Sequence, residues 1–493
     1  MKTKLKAILS LLVLHALCAQ AVAQEAAARP PEEFRQAAAR LAGSVLVGGR
    51  AAEYLRGLTD GFGGRLTGSP AYERSAEWAA AQFRAAGLKD VRLEAWDIES
   101  GWQRGEARGR IVAPFERRLY VESLGWSPAT PAGGVRGDVV FVSDVTPAGI
   151  RARAADIKGR VVLLNIPKIF ADGLWKGFAQ LTASQRLFKE AGALALVFPE
   201  GTANNVHAAL SLNWGSELSP LPAAEFGQED AKLIARLLRE QPARPVTVEF
   251  GFDNRTTGRA TTHNVVAEIR GRERPDEWVI VGAHLDSWDF GTGAQDNGAG
   301  VAQVMEAARA VAAMPQPPRR SIRFALWGGE EQGLRGSEAY VRAHAAEMKN
   351  CVAALNTDNG AGHPKGWKYQ GREDVRAALA PYSELFEGLG GGELSAEATF
   401  DTDHGHFLLA GVPALDLLVD MEHYEEVHHK ASDTLDKVNT HDLAAGAALV
   451  AVTAYAVAEQ PGPFARHADR KAVGEILKKA GVDDFLKSIG RWK

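Results

Sequence analysis

Cysteine is almost missing: Cys18 and Cys351 are the only two in 493 residues. Cys18 falls in a segment read below as removable, so the mature chain would carry one thiol, which excludes an internal disulfide and leaves stability to packing or metal. An excess of one charge is missing as well. Lys and Arg total 57 against 61 Asp and Glu, a net charge of −4 with the signs interspersed. Without a basic face, a nucleic-acid partner is set aside. Internal repeats and low-complexity tracts are absent. The apolar run Ala7 to Leu17 is too short to span a membrane comfortably. It follows Lys2, Lys4 and Lys6 and precedes Ala21-Val22-Ala23, which together read as a signal peptide over 1–23 and predict a periplasmic or secreted protein. Leu17 is not the small residue that lipid attachment at Cys18 would need.

What is present is ample apolar material, 46% of residues, enough for a large core and more than one domain. From Ala51 to Leu88 a Gly-rich loop leads into a helix that Gly87 can end, and a strand follows over Val91 to Ile98. Between about Pro114 and Thr256 the texture changes. Val-rich runs such as "VRGDVVFVS" and "IKGRVVLLNI" alternate with long Pro-, Gly- and Ser-containing connections, and no His and carboxylate cluster occurs at ligand spacing. This stretch is predicted to be an accessory module. From Asn264 the pattern becomes strand, loop, helix. "WVIVGAHL", Trp278 to Leu285, is continuously apolar, as in a strand covered on both faces. Val301, Val304, Met305, Ala308 and Val311 recur at helical spacing until Pro315. Further strands are expected over Ser321–Trp327, Ala353–Leu355 and Ala414–Val419. The alternation predicts an α/β class, a three-layer sandwich with a largely parallel central sheet flanked by helices and ligands gathered at the carboxyl ends of its strands.

Candidate chemistry sits at those ends. In "VGAHLDSWDFGTGAQDNGAG", His284 closes a strand and the glycines let the chain fold back so that Asp296 lies beside it. Glu330 and Glu331 follow another strand, Asp358 another, and His428 and His429 precede Asp433. Mixed imidazole and carboxylate donors suit zinc or another borderline divalent ion. Five ligands exceed the needs of one tetrahedral ion and suit two ions sharing a carboxylate. The glycines do not form a dinucleotide loop, since the spacing departs from G-x-G-x-x-G and an aspartate would repel a pyrophosphate.

The motifs "HLDSWDFGTGAQDNGAG", "ALWGGEEQGLRGS", "NTD" and "HHKASDT", with "GRLTGSP" and "THNVVAEI", resemble those of the M28 family of zinc metallopeptidases, the first and last being nearest an exported dipeptidase branch. The resemblance implies two zinc ions, with Asp296 shared, His284 and Asp358 on one, and Glu331 and His429 on the other. It implies that Glu330 is the general base outside the ligand set. Asp286 would bond the His284 ring and fix its tautomer. For the developing oxyanion, His428 and Tyr424 are both candidates, and Asp403, with His404 and His406, lies near a family loop beside the active site. The middle stretch resembles a mostly-β protease-associated domain. The organisation implied is a discontinuous peptidase domain over 24–115 and 256–465, an inserted domain over 116–255, and a helical tail over 466–493 that docks on the protein's own surface. Peptides with a free amino terminus are the expected substrates, as for an aminopeptidase or dipeptidase, and the resemblance also allows a homodimer. A glutaminyl cyclase with one zinc, or a scaffold like the transferrin receptor that has lost ligands, are the competing readings. Trp288 and Trp367 are read as cleft or core residues, and Cys351 as inert packing.

Overall fold

A computed structural model describes residues 30–199 and 202–493, so the expected signal peptide lies outside the described residues. Among the described residues, sixteen strands run in chain order as β1 Asp90–Gln103, β2 Ala107–Ala113, β3 Arg117–Arg118, β4 Val121–Ser123, β5 Val135–Val142, β6 Val161–Leu164, β7 Ala195–Pro199, β8 Ala223–Phe226, β9 Thr247–Phe252, β10 Arg255–Ile269, β11 Arg274–His284, β12 Arg320–Trp327, β13 Cys351–Asn356, β14 Pro364–Lys368, β15 Glu393–Ser395 and β16 Ala414–Val419. The helices that matter below are α1 Pro70–Ala85, α2 Leu174–Glu190, α3 Gln228–Glu240, α4 Ala299–Ala312, α5 Arg335–Ala343, α6 Thr440–Glu459 and α7 Arg470–Lys479.

The first sheet has the order β1-β10-β12-β11-β13-β16-β14-β15. Its centre, β12-β11-β13-β16, is parallel, while β1, β10 and β14 pair antiparallel at the flanks. Burial on both faces explains the unbroken apolar text of β11. Val279, Val281 and Ala283 enter one core with α4 and α6, whereas Trp278 and Ile280 enter another with Trp327, Tyr340 and Phe407. Helix α6 is apolar enough by length and composition to cross a membrane, yet it is mostly buried inside the protein. The reading from sequence passed over it. A helix apolar all round is what a core position between other helices requires.

The second sheet has the order β3-β2-β9-β5-β6-β7-β8-β4, parallel from β5 through β8 and antiparallel elsewhere. One face packs with α3, through Ala231 and Ile234, and the other with α2, through Leu181 and Phe188. The sheet is therefore more helix-covered than a mostly-β module implies. It is an insertion at the tip of the β1/β10 ribbon, where Gln103 lies opposite Arg255. The chain rejoins the ribbon at Arg255, and residue 116 falls inside the second sheet, just before β3. The polar alternation of "ARGRIVA" in β2 reads like a continuation of the ribbon, and only pairing with β9 assigns it to the second sheet. Near the carboxyl end, Val473, Ile476, Leu477 and Phe485 pack with Leu334, Phe400 and Leu408, and Trp175, Phe178 and Trp214 of the insert close over them.

Candidate metal centre

Three parallel strands end side by side, and each end delivers a functional side chain. His284 is the last residue of β11, the Glu330–Glu331 pair follows β12, and Asp358 follows β13. Asp296 arrives by the loop after β11. Gly293 turns that loop at φ +57, where a Cβ would lie 2.3 Å from Ser287, so both the left-handed backbone and the close approach demand glycine. The glycines between Phe290 and Asn297 thus produce a tight turn.

The imidazole of His284 is the centre of one group. Its Nε2 lies 3.0 Å from Asp358 Oδ1, 3.1 Å from Asp296 Oδ1 and 4.0 Å from Glu330 Oε2. Its Nδ1 donates to the backbone oxygen of Asp286 at 2.9 Å, while the Asp286 carboxylate stands at 3.5 Å. The tautomer that leaves Nε2 as an acceptor toward a cation is therefore favoured chiefly by main chain, with the carboxylate behind it. Asp286 Oδ1 also accepts from the Glu330 N–H at 3.3 Å, so this residue steadies both members of the pair.

Asp296 joins this group to a second. Its Oδ2 lies 3.4 Å from His429 Nε2 and 3.7 Å from His428 Nε2, and His429 Nε2 is 3.0 Å from Glu331 Oε2. Donor atoms of His284, Asp296 and Asp358, and separately of Asp296, His428 and His429, lie within 4.8 Å of one another. All five residues expected as ligands come together. Glu331 reaches the second group through its contact with His429, and His428 comes closer to the donors than its expected role required. Buried Glu331 Oε1 has no hydrogen-bond partner, and neither has Asp286 Oδ2. Converging carboxylates and imidazoles with an unsatisfied oxygen are the donor chemistry that a divalent ion such as zinc satisfies.

Electrostatics point the same way. Burial, reinforced by neighbouring carboxylates, pushes Glu330, Glu331 and Asp358 well above the ordinary carboxyl range, with His284 opposing. Burial would lower His284, but Asp358 and Glu330, then bonds with Asp286 and Asp296, hold it well above the usual imidazole value. Burial takes His428 down to about 4, and the neighbouring His429 adds to this. Asp403 is buried and pushed up to about 7, chiefly by burial. The His284 charge opposes that shift, whereas His404 bonds to Thr402 and Thr399 and His406 meets Phe400 edge-on. Tyr424 is buried against the His428 ring at a centroid distance of 4.9 Å. Trp288 contacts the His429 ring edge-on at 6.0 Å, while Trp367 belongs to the core and bonds Thr453.

The supporting residues were not singled out from the sequence. Arg65, fully buried, donates to the carbonyls of Leu285, Thr292 and Gly293 at 2.8, 2.6 and 3.0 Å. Burial lowers it to about 10, while Asp433, Asp286 and Asp296 oppose that shift. Thr67 Oγ1 accepts from the Gly329 N–H at 2.7 Å, so one loop, "GRLTGSP", braces two strand ends. Asp433 accepts from the amides of Gln295 and Asp296 at 2.7 and 3.1 Å. The insert contributes through backbone. The N–H of Ala209 donates to the His429 oxygen at 2.7 Å and the N–H of Ala431 to the His207 oxygen at 3.1 Å, holding His429 at φ +61. The motif "GRLTGSP" was the one available signal for Arg65. The ladder to His429 has none.

Residues 264–454 match the model of peptidase family M28. Carboxypeptidase Q of Bos taurus is 28% identical over 418 residues, covering 83% of this chain and 85% of that protein. Carboxypeptidase Q of Rattus norvegicus is 29% identical over 420 residues with the same coverage. Among solved structures, a peptidase M28 precursor from Shewanella amazonensis SB2B superposes with a TM-score of 0.78 at 29% identity, over 89% of this chain and 100% of that one. A zinc aminopeptidase from Bacillus subtilis shares the fold, with a TM-score of 0.64 at 21% identity, over 84% of this chain and 96% of that one.

Proposed function

Given that residues 264–454 carry a peptidase family M28 domain, we propose that this chain is an exported exopeptidase with two zinc ions that hydrolyses dipeptides or short peptides bearing a free amino terminus. The observation that carries the reading is Asp296, one of whose oxygens faces His284 while the other faces His428 and His429. A single carboxylate between two donor groups is what a shared ligand must be. His284 and Asp358 would hold one ion, Glu331 and His429 the other, and Asp296 both. When bound, zinc supplies Lewis acidity that lowers the pKa of solvent toward neutrality and polarises a carbonyl.

The remaining work falls to side chains. Glu330, the most exposed of the clustered carboxylates at 11%, is the general base, accepting the proton of the attacking solvent at a carboxylate oxygen and returning it to the leaving amine. Asp286 orients both His284 and Glu330. The substrate ammonium pairs with the carboxylates, which gives the requirement for a free amino terminus. His428, held neutral by its lowered pKa, donates to the developing oxyanion. We assign the insert as a protease-associated domain.

A panel of dipeptides, with amino-blocked and carboxyl-blocked versions, incubated with and without chelator tests this. Hydrolysis of free-amine peptides that stops with chelator and returns with zinc is expected, together with two ions bound per chain. Cleavage of amino-blocked peptides would remove the free-amine requirement, and one ion per chain with ring closure in place of hydrolysis would favour a cyclase.

A further inference from the structure

Two buried polar atoms beside the metal cluster lack a hydrogen-bond partner and are complementary. One is the carboxylate oxygen Oε1 of Glu331, an acceptor; the other is Nε1 of Trp288, which can only donate. Trp288 is 4% exposed and the Glu331 side chain 2%, so neither atom turns to bulk solvent. Both residues flank the same imidazole. Trp288 meets the His429 ring edge-on at a centroid distance of 6.0 Å, and Glu331 Oε2 stands 3.0 Å from His429 Nε2. No full hydrogen bond closes between indole and carboxylate here, yet the indole N–H draws the Glu331 carboxyl pKa down, against the burial that chiefly raises it.

The indole is seated by the insert. Gly125 comes so close that a Cβ there would stand 2.6 Å from the six-membered ring of Trp288, an approach that only glycine permits. Trp126 meets Trp288 edge-on at 6.4 Å and stacks in turn on Trp102 at 5.8 Å. The N–H groups of Trp126 and Trp102 are spent on the carbonyls of Ser100 and Ser127, each at 2.8 Å. Of the three indoles, the one nearest the cluster is the one whose donor is uncommitted. We propose that Trp288 is a positioning residue for the second ion: its N–H donates to Oε1 of Glu331 and fixes the plane in which that carboxylate meets the metal, while Gly125 and Trp126 of the insert hold the indole in place. This rests on the two-zinc reading above. A carboxylate oxygen has two lone pairs, so Oε1 can accept from the indole and still face a cation.

The test titrates full-length protein, stripped of metal, with zinc against a competing chelator and reads both dissociation constants. Glu331→Gln identifies which constant belongs to the second ion. Trp288→Phe, which keeps an aromatic ring and deletes the N–H, is expected to weaken that constant by about 10–100-fold, the usual loss when a ligand's outer hydrogen-bond partner is removed, and to leave the other unchanged. Gly125→Ala, which pushes the ring from the side of the insert, is expected to weaken the same constant and decides the matter if the Phe variant does not fold. Trp102→Phe deletes an N–H in the same aromatic group that bonds Ser127, and is expected to lower stability with both constants unchanged. Unaltered zinc binding in Trp288→Phe, or an equal loss in Trp102→Phe, overturns the donor role and leaves the peptidase standing. Wild-type protein that binds a single ion overturns the two-zinc reading and the role of Trp288 with it.

Discussion

At the carboxyl ends of β11, β12 and β13 the first sheet presents His284, the pair Glu330–Glu331 and Asp358, whereas at the ends of β6 and β7 the second presents Asn165 and Pro199. Both regions are parallel strands buried on two faces. Parallel strand ends therefore supply convergence, and convergence is indifferent to what converges. In the first sheet it gathers repelling carboxylates, which the structure tolerates by burying Arg65 among them and by leaving donors for cations. In the second it gathers apolar residues, and the outcome is a cavity wall. The same geometry serves chemistry in one place and shape in the other.

Glu330→Gln cuts deepest into this contrast. Kcat is expected to fall by about 10²–10⁴-fold, the usual contribution of a general base, with zinc content and melting temperature unchanged. Steady-state kinetics beside metal analysis decides it, and retained turnover would erase the chemical half of the comparison. Arg65→Ala should cost about 3–5 kcal/mol in urea unfolding, since it leaves the buried carbonyls of Leu285, Thr292 and Gly293 without a donor at about 1–3 kcal/mol each. A loss under about 1 kcal/mol would mean that the loop after β11 holds itself. In the insert, Phe188→Ala, at a fully buried position, is expected to cost about 3–5 kcal/mol through cavity formation while Ala-Ala hydrolysis and zinc content stay at wild-type levels. Loss of bound zinc in that variant would show that the two sheets do not divide the labour.

The smallest effect concerns a charged pair away from the cluster. His344 Nε2 lies 3.0 Å from Glu94, and that bond, against partial burial, raises the imidazole pKa. A histidine whose folded value exceeds its unfolded value of about 6.5 stabilises fully below that pH and loses the contribution as pH rises through the folded value. Denaturation at pH 5.5 and 8.5 should show wild type losing up to about 1 kcal/mol relative to His344→Gln. Parallel curves would show that the pair contributes nothing.

Of the candidate ligands, His284, Glu331 and Asp358 were legible because each stands at or just past an apolar run recognisable as a strand, whereas Asp296 and His429 rested on the resemblance of their motifs. His284 after "WVIVGA" is the clearest instance. Arg65 was not legible in the same way, since its partners are carbonyls more than two hundred positions away and carbonyls have no letter in a sequence. The start of the insert escaped for a related reason: β2 is told from an extension of β1 only by the strand it pairs with. Helix α6 went unnoticed because an even spread of Ala, Val and Leu carries no amphipathic stripe.

The insert leaves and re-enters the peptidase domain through neighbouring strands, Gln103 opposite Arg255, and is fastened again at His207–Ala209. A body attached at one edge can swing like a door, but one attached at two separated places can only flex. The wall that the insert presents to the His428–Lys430 segment is thereby held from two sides rather than one.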